Sequence, residues 1–467
     1  MKIKKRIESL RLPARAGGYY VGTSVISKAI GLIFTPIFTS IMSGGEYGHF
    51  SLYMSTVALV GTVSSAVIFG SVCYSGYKKF EGEEKEFGRT CMSLSIFSSV
   101  LVSVLLIPLW NFSGLGRSML PFLIMQSAFD GAIASFYAEK RYVYSYKSVS
   151  MLSVATAIIT PIAGLILMRI FPHDEARALG LLAVSALIAV PFMTVRLRWA
   201  RLKRDHVKYV LKSGLALLPG AISHGAVGGA DKLAISRYLG RAALGAYSVA
   251  HSIGIGLTFL TGGLSSALFP WMTRKIKNGE NRLIGDTVLK IFSILGALTV
   301  ILVGLSPEAM ALLTPQSYSV SLPAIFPIAL SVLPSFLCSV VGLWAVAEEQ
   351  SYKTSAYQIA GGISNLILNV LLVPRYGYLG AGLSLMISYV QSFLIGYFIS
   401  TEKVREFLSP GSILAISLIT VVECAAMCLA YPYLPIRILL LSLPIYTILK
   451  EGVGMKSLLL EPAKEAT

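Results

Sequence analysis

The sequence predicts an all-α membrane protein of about 14 transmembrane helices, and three observations carry that prediction. The 467-residue chain is 55% hydrophobic and only 13% charged, with a mean hydropathy of +0.71. Soluble domains carry about 25% charged residues, so these charges are too few to clothe a water-facing surface. The apolar residues fall into runs of about 20, the length that crosses a bilayer as a helix. Lys and Arg gather in the short segments between the runs, as a topology signal does.

Taken in order, the runs are 17–42, 47–72, 90–110, 118–138, 149–171 and 178–195. A second set follows at 213–238, 245–271, 285–313, 323–347, 354–373 and 378–399. A last pair lies at 412–431 and 435–449, the latter interrupted by Pro444. The first run follows a basic tail but is too long for the apolar part of a signal peptide. It is expected to remain as span one.

With the N-terminus cytoplasmic, the tails and loops on that side hold thirty Lys and Arg. The opposite loops hold five: Arg117, Arg177, Arg241, Arg375 and Arg437. Both termini are therefore expected in the cytoplasm. This distribution also accounts for the net charge of +17, which in a soluble protein would suggest nucleic acid; no nucleic-acid partner is expected here. The five cysteines sit in or beside apolar runs and read as small packing residues. No cofactor and no metal site is expected.

The densest basic loop, Arg196 to Lys212, divides the first twelve spans into two sixes. The expected organisation is a first lobe over 1–205 (spans 1–6) and a second over 206–400 (spans 7–12). An extra helix pair and tail occupy 401–467. The two sixes share traces of one pattern. Glu46-Tyr47-Gly48-His49-Phe50-Ser51 follows span one, and Ala243-Leu244-Gly245-Ala246-Tyr247-Ser248 follows span seven. Six spans is an even number, so such repeats enter the membrane in the same orientation, as in transporters built of parallel repeats.

Charges inside spans are costly and mark cavities, partners or pathways. Span one places Tyr20, Ser24, Ser27, Lys28, Gly31 and Thr35 on one face. Lys28 reads either as a cation facing a cavity that meets anionic substrate or as half of a packed ion pair. In span seven, Ser213, Gly220, His224, Val227 and Asp231 align, with Lys232 next in sequence and Pro219 positioned to kink the helix. Asp231 is a candidate for coupling-ion binding or for a static ion pair. Span four sets Gln126 one turn from Asp130, a second ion-coupling candidate. Span eleven aligns Gln358, Gly362, Asn365 and Asn369, for which interhelical amide bonds suffice. His251 and Glu423 read as packing residues. No phosphate-binding loop, metal-spaced cluster or nucleophile motif occurs, so an enzyme is not expected.

Several segments carry a resemblance. Asn365 to Tyr389 (NLILNVLLVPRYGYLGAGLSLMISY) joins an Asn-rich span, a Pro-basic-Tyr-Gly turn and a Gly-Ala-rich span. With Leu211–Gly220 (LKSGLALLPG), Asp231–Ala250 (DKLAISRYLGRAALGAYSVA) and Ala138–Lys147 (AEKRYVYSYK), it resembles the polysaccharide biosynthesis flippases of the O-antigen, Wzx-like type. These belong to the multidrug/oligosaccharidyl-lipid/polysaccharide (MOP) exporter superfamily. The resemblance implies two six-helix lobes in a V that opens alternately to either side of a bacterial cytoplasmic membrane. It implies as substrate an undecaprenyl-diphosphate-linked oligosaccharide for O-antigen, capsule or exopolysaccharide, with membrane lipids and a polymerase or ligase as partners. Lys28, Lys232, Arg237 and His224 would then form a cationic cavity for the substrate. Two rivals stand beside it: a cation-coupled drug or metabolite antiporter of the same superfamily, and a non-transporting scaffold of a glycan-synthesis complex.

Overall fold

The protein was analysed as a computed structural model that describes residues 2–68, 71–107, 115–143, 145–197, 202–348 and 350–460. The described residues are all-helical, with no strand among them. Helices are what the bilayer permits, because each helix satisfies its own backbone donors and acceptors where no water can. The surface agrees with lipid as the solvent: Leu187 is 74% and Leu429 81% exposed. Ten helical segments among the described residues are long and apolar enough to span a membrane. That count takes the 48 residues from Tyr352 to Ile399 as one segment, although a kink at Gly377 divides them into two legs.

The chain forms two compact units, 1–245 and 246–467. The first contains α1 (Lys2–Ile41), α2 (Gly44–Ile68), α3 (Ser71–Lys79) and α4 (Glu84–Leu105). It continues with α5 (Met119–Tyr142), α6 (Tyr146–Leu167), α7 (His173–Leu197) and α8 (Arg204–Leu239). Within it α2 packs along α8, α4 along α5, α6 along α7 and α1 along α6. Small polar residues let α4 and α5 approach closely. Ser95 donates to the Gly131 carbonyl at 3.0 Å and Ser103 to the Ser127 hydroxyl at 3.1 Å, the usual glue between helices in lipid. Gly48, from the repeated pattern, lies directly against the backbone of Arg241 and Gly245. No side chain fits there.

The second unit begins within α9 (Arg241–Gly254), which a short 3-10 turn joins to α10 (Thr258–Lys277). Then come α11 (Asn281–Gly304), α12 (Ser306–Leu313) and α13 (Ile325–Ala347). The long α14 (Ser351–Ile399) follows, and then α15 (Glu402–Phe407) and α16 (Pro410–Leu429). The last described helices are α17 (Leu434–Leu440) and α18 (Ser442–Leu460). Helix α13 is the core: Phe336, Val340 and Trp344 are buried against α11 and both legs of α14. The Pro-basic-Tyr-Gly stretch is the turn between those legs. Pro374 cannot donate to the preceding turn, and Gly377 takes φ 58°, a conformation that disfavours every residue with a Cβ.

Two readings change in detail. The last span is displaced, because the helix breaks at Leu441 and Pro444 sits in the first turn of α18, where its missing N–H costs nothing. The amide pair of α14 bonds along the helix rather than across it: Asn369 donates to the carbonyl and side-chain oxygens of Asn365 at 2.9 and 3.1 Å.

Candidate functional site

Lys28 of α1 lies within electrostatic range of Lys232 of α8 in the first unit. Lys28 lies in the apolar half of α1 and is exposed. Lys232 lies near the C-terminal end of α8, half-buried, within electrostatic range of both Asp231 and Lys28. Asp231 is fully buried and accepts the Lys232 backbone N–H at 2.8 Å. Two lysines and one carboxylate sum to one positive charge. Three of the six residues singled out in the sequence are thus brought together. Arg237 instead stands exposed in the last turn of α8, where a cation complements the helix C-terminus. His224 lies on α8, and its side chain falls outside the described residues.

Asp130 finds its partners elsewhere. Gln126 donates to it at 2.7 Å and to Ser185 of α7 at 2.9 Å. The buried Tyr53 hydroxyl of α2 lies within electrostatic range of the same carboxylate. Tyr53 and Ser185 were not singled out from the sequence, since a Tyr or Ser within a span carries no signal until its neighbour is known. This is a mid-membrane polar group built from three helices.

Each end of the first unit carries a charged network. At one end His49 is buried, with Nδ1 2.5 Å from Asp174 and Nε2 accepting the Gly116 N–H at 3.2 Å. An Nε2 that accepts carries no proton, so the ring proton sits on Nδ1 and is donated to Asp174. At the other end Lys203 bridges Glu83 at 3.0 Å and Glu86 at 2.5 Å. His206 reaches Glu83 at 2.9 Å. The Lys203 ammonium, followed by His206, holds the Glu83 carboxyl below its ordinary range. Arg196 pairs with Glu139 at 2.6 Å. These bonds tie the start of α4 to the start of α8, and the end of α5 to the end of α7.

The second unit holds an apolar groove of about 480 Å³ between α13, the second leg of α14, and α16. Leu333, Leu337, Val390, Phe393, Ile413 and Leu414 line it. Nothing in its wall is charged, so it suits a hydrocarbon chain.

Comparison with known proteins bears on the family and the fold. The polysaccharide biosynthesis protein family model matches residues 37–313. Among solved structures, "Lipid II flippase MurJ, inward closed conformation" is similar with a TM-score of 0.66 at 17% identity, covering 94% of this chain and 98% of that one. An inward-facing multidrug resistance MATE family transporter of the MOP superfamily gives 0.59 at 12%, over 83% and 96%. A MOP superfamily transporter from Pyrococcus furiosus Vc1 (DSM3638) gives 0.53 at 15%, over 89% and 96%. No curated protein sequence matches significantly. These likenesses are to flippases and transporters rather than to catalytic enzymes. The chain is a multi-pass membrane protein with the MOP-superfamily fold, and it belongs to the polysaccharide biosynthesis protein family.

Proposed function

We propose that this protein flips an undecaprenyl-diphosphate-linked oligosaccharide from the cytoplasmic to the external leaflet, for assembly of O-antigen, capsule or exopolysaccharide. The observation that carries the reading is the Lys28–Asp231–Lys232 group, two cations to one anion on α1 and α8. Such a group recognises a diphosphate or acidic sugar. The family match and the fold shared with a lipid II flippase support a lipid-linked substrate. The apolar groove beside α16 supplies room for the polyprenyl chain. Arg237 and His224, on the same helix, are further candidates for contact with the substrate.

In this reading the lobes 1–205 and 206–400 alternate access, and 401–467 adds a helix pair of which α16 walls the groove. Both termini are cytoplasmic, on the strength of the thirty-to-five distribution of Lys and Arg. Without an ATP-binding motif the energy comes from an ion gradient or the membrane potential. Asp231 and Asp130 are the carboxylates proposed to take up the ion. A polymerase or ligase receives the product.

The test is leaflet-resolved detection of undecaprenyl-linked glycan in cells lacking this protein and any other flippase. The expected result is an intermediate trapped on the cytoplasmic side, released by wild type but not by Lys28→Ala expressed at equal level. Normal export without the protein would overturn the reading. The MATE likeness would then make cation-coupled drug or metabolite export the next activity to assay.

A further inference from the structure

His49 joins three elements at one end of the first unit, and it can do so in one protonation state only. The residue lies early in α2 and is 6% exposed. Its Nδ1 is 2.5 Å from Asp174, in the first turn of α7. Its Nε2 accepts the N–H of Gly116, just ahead of α5, at 3.2 Å. A backbone amide only donates, so the Gly116 bond exists only while Nε2 is bare. A second ring proton turns Nε2 into a donor facing another donor. The Asp174 contact then persists as an ion pair, and the Gly116 contact is lost. Histidine is the side chain whose charge changes near neutral pH, so acidity selects between the two arrangements.

The other charges at this end are engaged elsewhere or lie on the surface. Glu46, on α2 itself, pairs with His173 at 3.2 Å. The Arg177 guanidinium of α7 lies over the rings of Phe38, Tyr47 and Phe50. Arg237, in the last turn of α8, is exposed, and Arg241 lays its backbone against Gly48. The neighbouring ends of α1, α4 and α5, residues 34–41, 99–105 and 119–126, carry no charged side chain. Asp174 is the charged group bonded to the His49 ring.

We propose that His49 is a proton-operated clasp. Neutral, it fastens the segment leading into α5 to both α2 and α7. Protonated, it releases that segment and keeps α7. On the orientation proposed above this end faces outside, so the clasp responds to the acidity of the external medium. It is separate from the Lys28–Asp231–Lys232 group and from Asp130.

The test is NMR of the full-length protein in lipid nanodiscs, with ¹⁵N-labelled histidine and glycine. Near neutral pH, His49 is expected to show a protonated Nδ1 and a bare Nε2, the reverse of the tautomer that free histidine side chains favour. On acidification the bare-nitrogen signal is expected to disappear. The Gly116 amide is expected to lose about fivefold in exchange protection over the same pH range, as loss of one ordinary hydrogen bond allows. Two variants separate this bond from folding. Gln sets its carbonyl where Nε2 stands, so His49→Gln is expected to keep Gly116 protected at every pH. Asn reaches only as far as Nδ1, so His49→Asn is expected to leave Gly116 less protected at every pH. A protonated Nε2 at neutral pH would overturn the proposal. So would a ring that stays neutral until the protein unfolds, or Gly116 protection that is unchanged while the ring titrates. The measurement reads a proton and a hydrogen bond, not transport, so its failure leaves the flippase reading standing.

Discussion

The two units solve the same problem, burying helices in lipid, by different means. In the first, polar bonds cross between helices in mid-membrane: Ser95 to Gly131, Ser103 to Ser127, Gln126 to Ser185. In the second, the Asn and Ser ladder of α14 bonds largely along its own helix, from Asn369 to Asn365 and from Ser392 through Ser388 to Ser384, while Tyr357 crosses to the Cys338 carbonyl of α13 at 2.9 Å. The second unit instead packs around α13, whose membrane segment is 78% buried, whereas that of α1 is 17% buried. The contrast teaches where rigidity and chemistry reside. The second unit is an apolar body that also holds a charged cavity between α11, α16 and α18. The first keeps charge and hydroxyls between helices, and its α1 and α8 carry the group assigned to substrate.

The contrast is broken most severely in the second unit's core. Trp344→Ala removes a buried indole that packs on Phe407 at 4.7 Å between ring centres. It is expected to cost about 3–5 kcal/mol, read as a large fall in Tm in nanodiscs. Next comes Arg437, which fastens α17 to the end of α11. It donates to the Gly304 carbonyl at 2.9 Å and makes two bonds to Glu308 at 2.8 and 2.5 Å. Arg437→Met leaves the carbonyl unpaired and is expected to cost about 1–3 kcal/mol.

The first unit's polar bonds are individually weaker. Gln126→Leu breaks the links to Asp130 and Ser185, for an expected loss of about 1 kcal/mol in the same thermal measurement. A loss as large as that of Trp344→Ala would show that the polar bonds, and not apolar packing, dominate this unit. The smallest effect is expected at the surface, where Lys203 holds the Glu83 carboxyl below its ordinary 4.5. A depressed carboxyl contributes stability above its ordinary value and loses it as pH falls through the depressed one. Wild-type Tm is therefore expected to fall slightly more than that of Glu83→Gln on acidification below about pH 4.5; identical curves would remove the pair from the account.

Much of this was legible in the sequence. Apolar runs of bilayer length marked the helices because lipid imposes a length that sequence must meet. The Pro374-to-Gly377 turn was visible because those residue types act locally on the backbone. Lys28, Asp231 and Lys232 could be named one by one, but Lys28 and Asp231 are 203 positions apart, and periodicity within one helix says nothing of which faces meet. His49 and Asp174 stayed hidden for the same reason. Glu423 read as packing because the last span was placed too early. With α18 starting at Ser442, Lys450 and Glu451 move from the helix end to its middle, and three charges share one cavity.

The central claim is that Lys28 and Lys232 form a site for an anionic, lipid-linked substrate. The most direct measurement compares wild type with Lys28→Ala/Lys232→Ala in nanodiscs, titrated with undecaprenyl-diphosphate-linked glycan and with the same chain lacking the diphosphate. The account predicts that wild type prefers the charged ligand, and that the double variant loses this preference while keeping its fold and its weak affinity for the uncharged chain. Equal preference for the charged ligand in both proteins would contradict it.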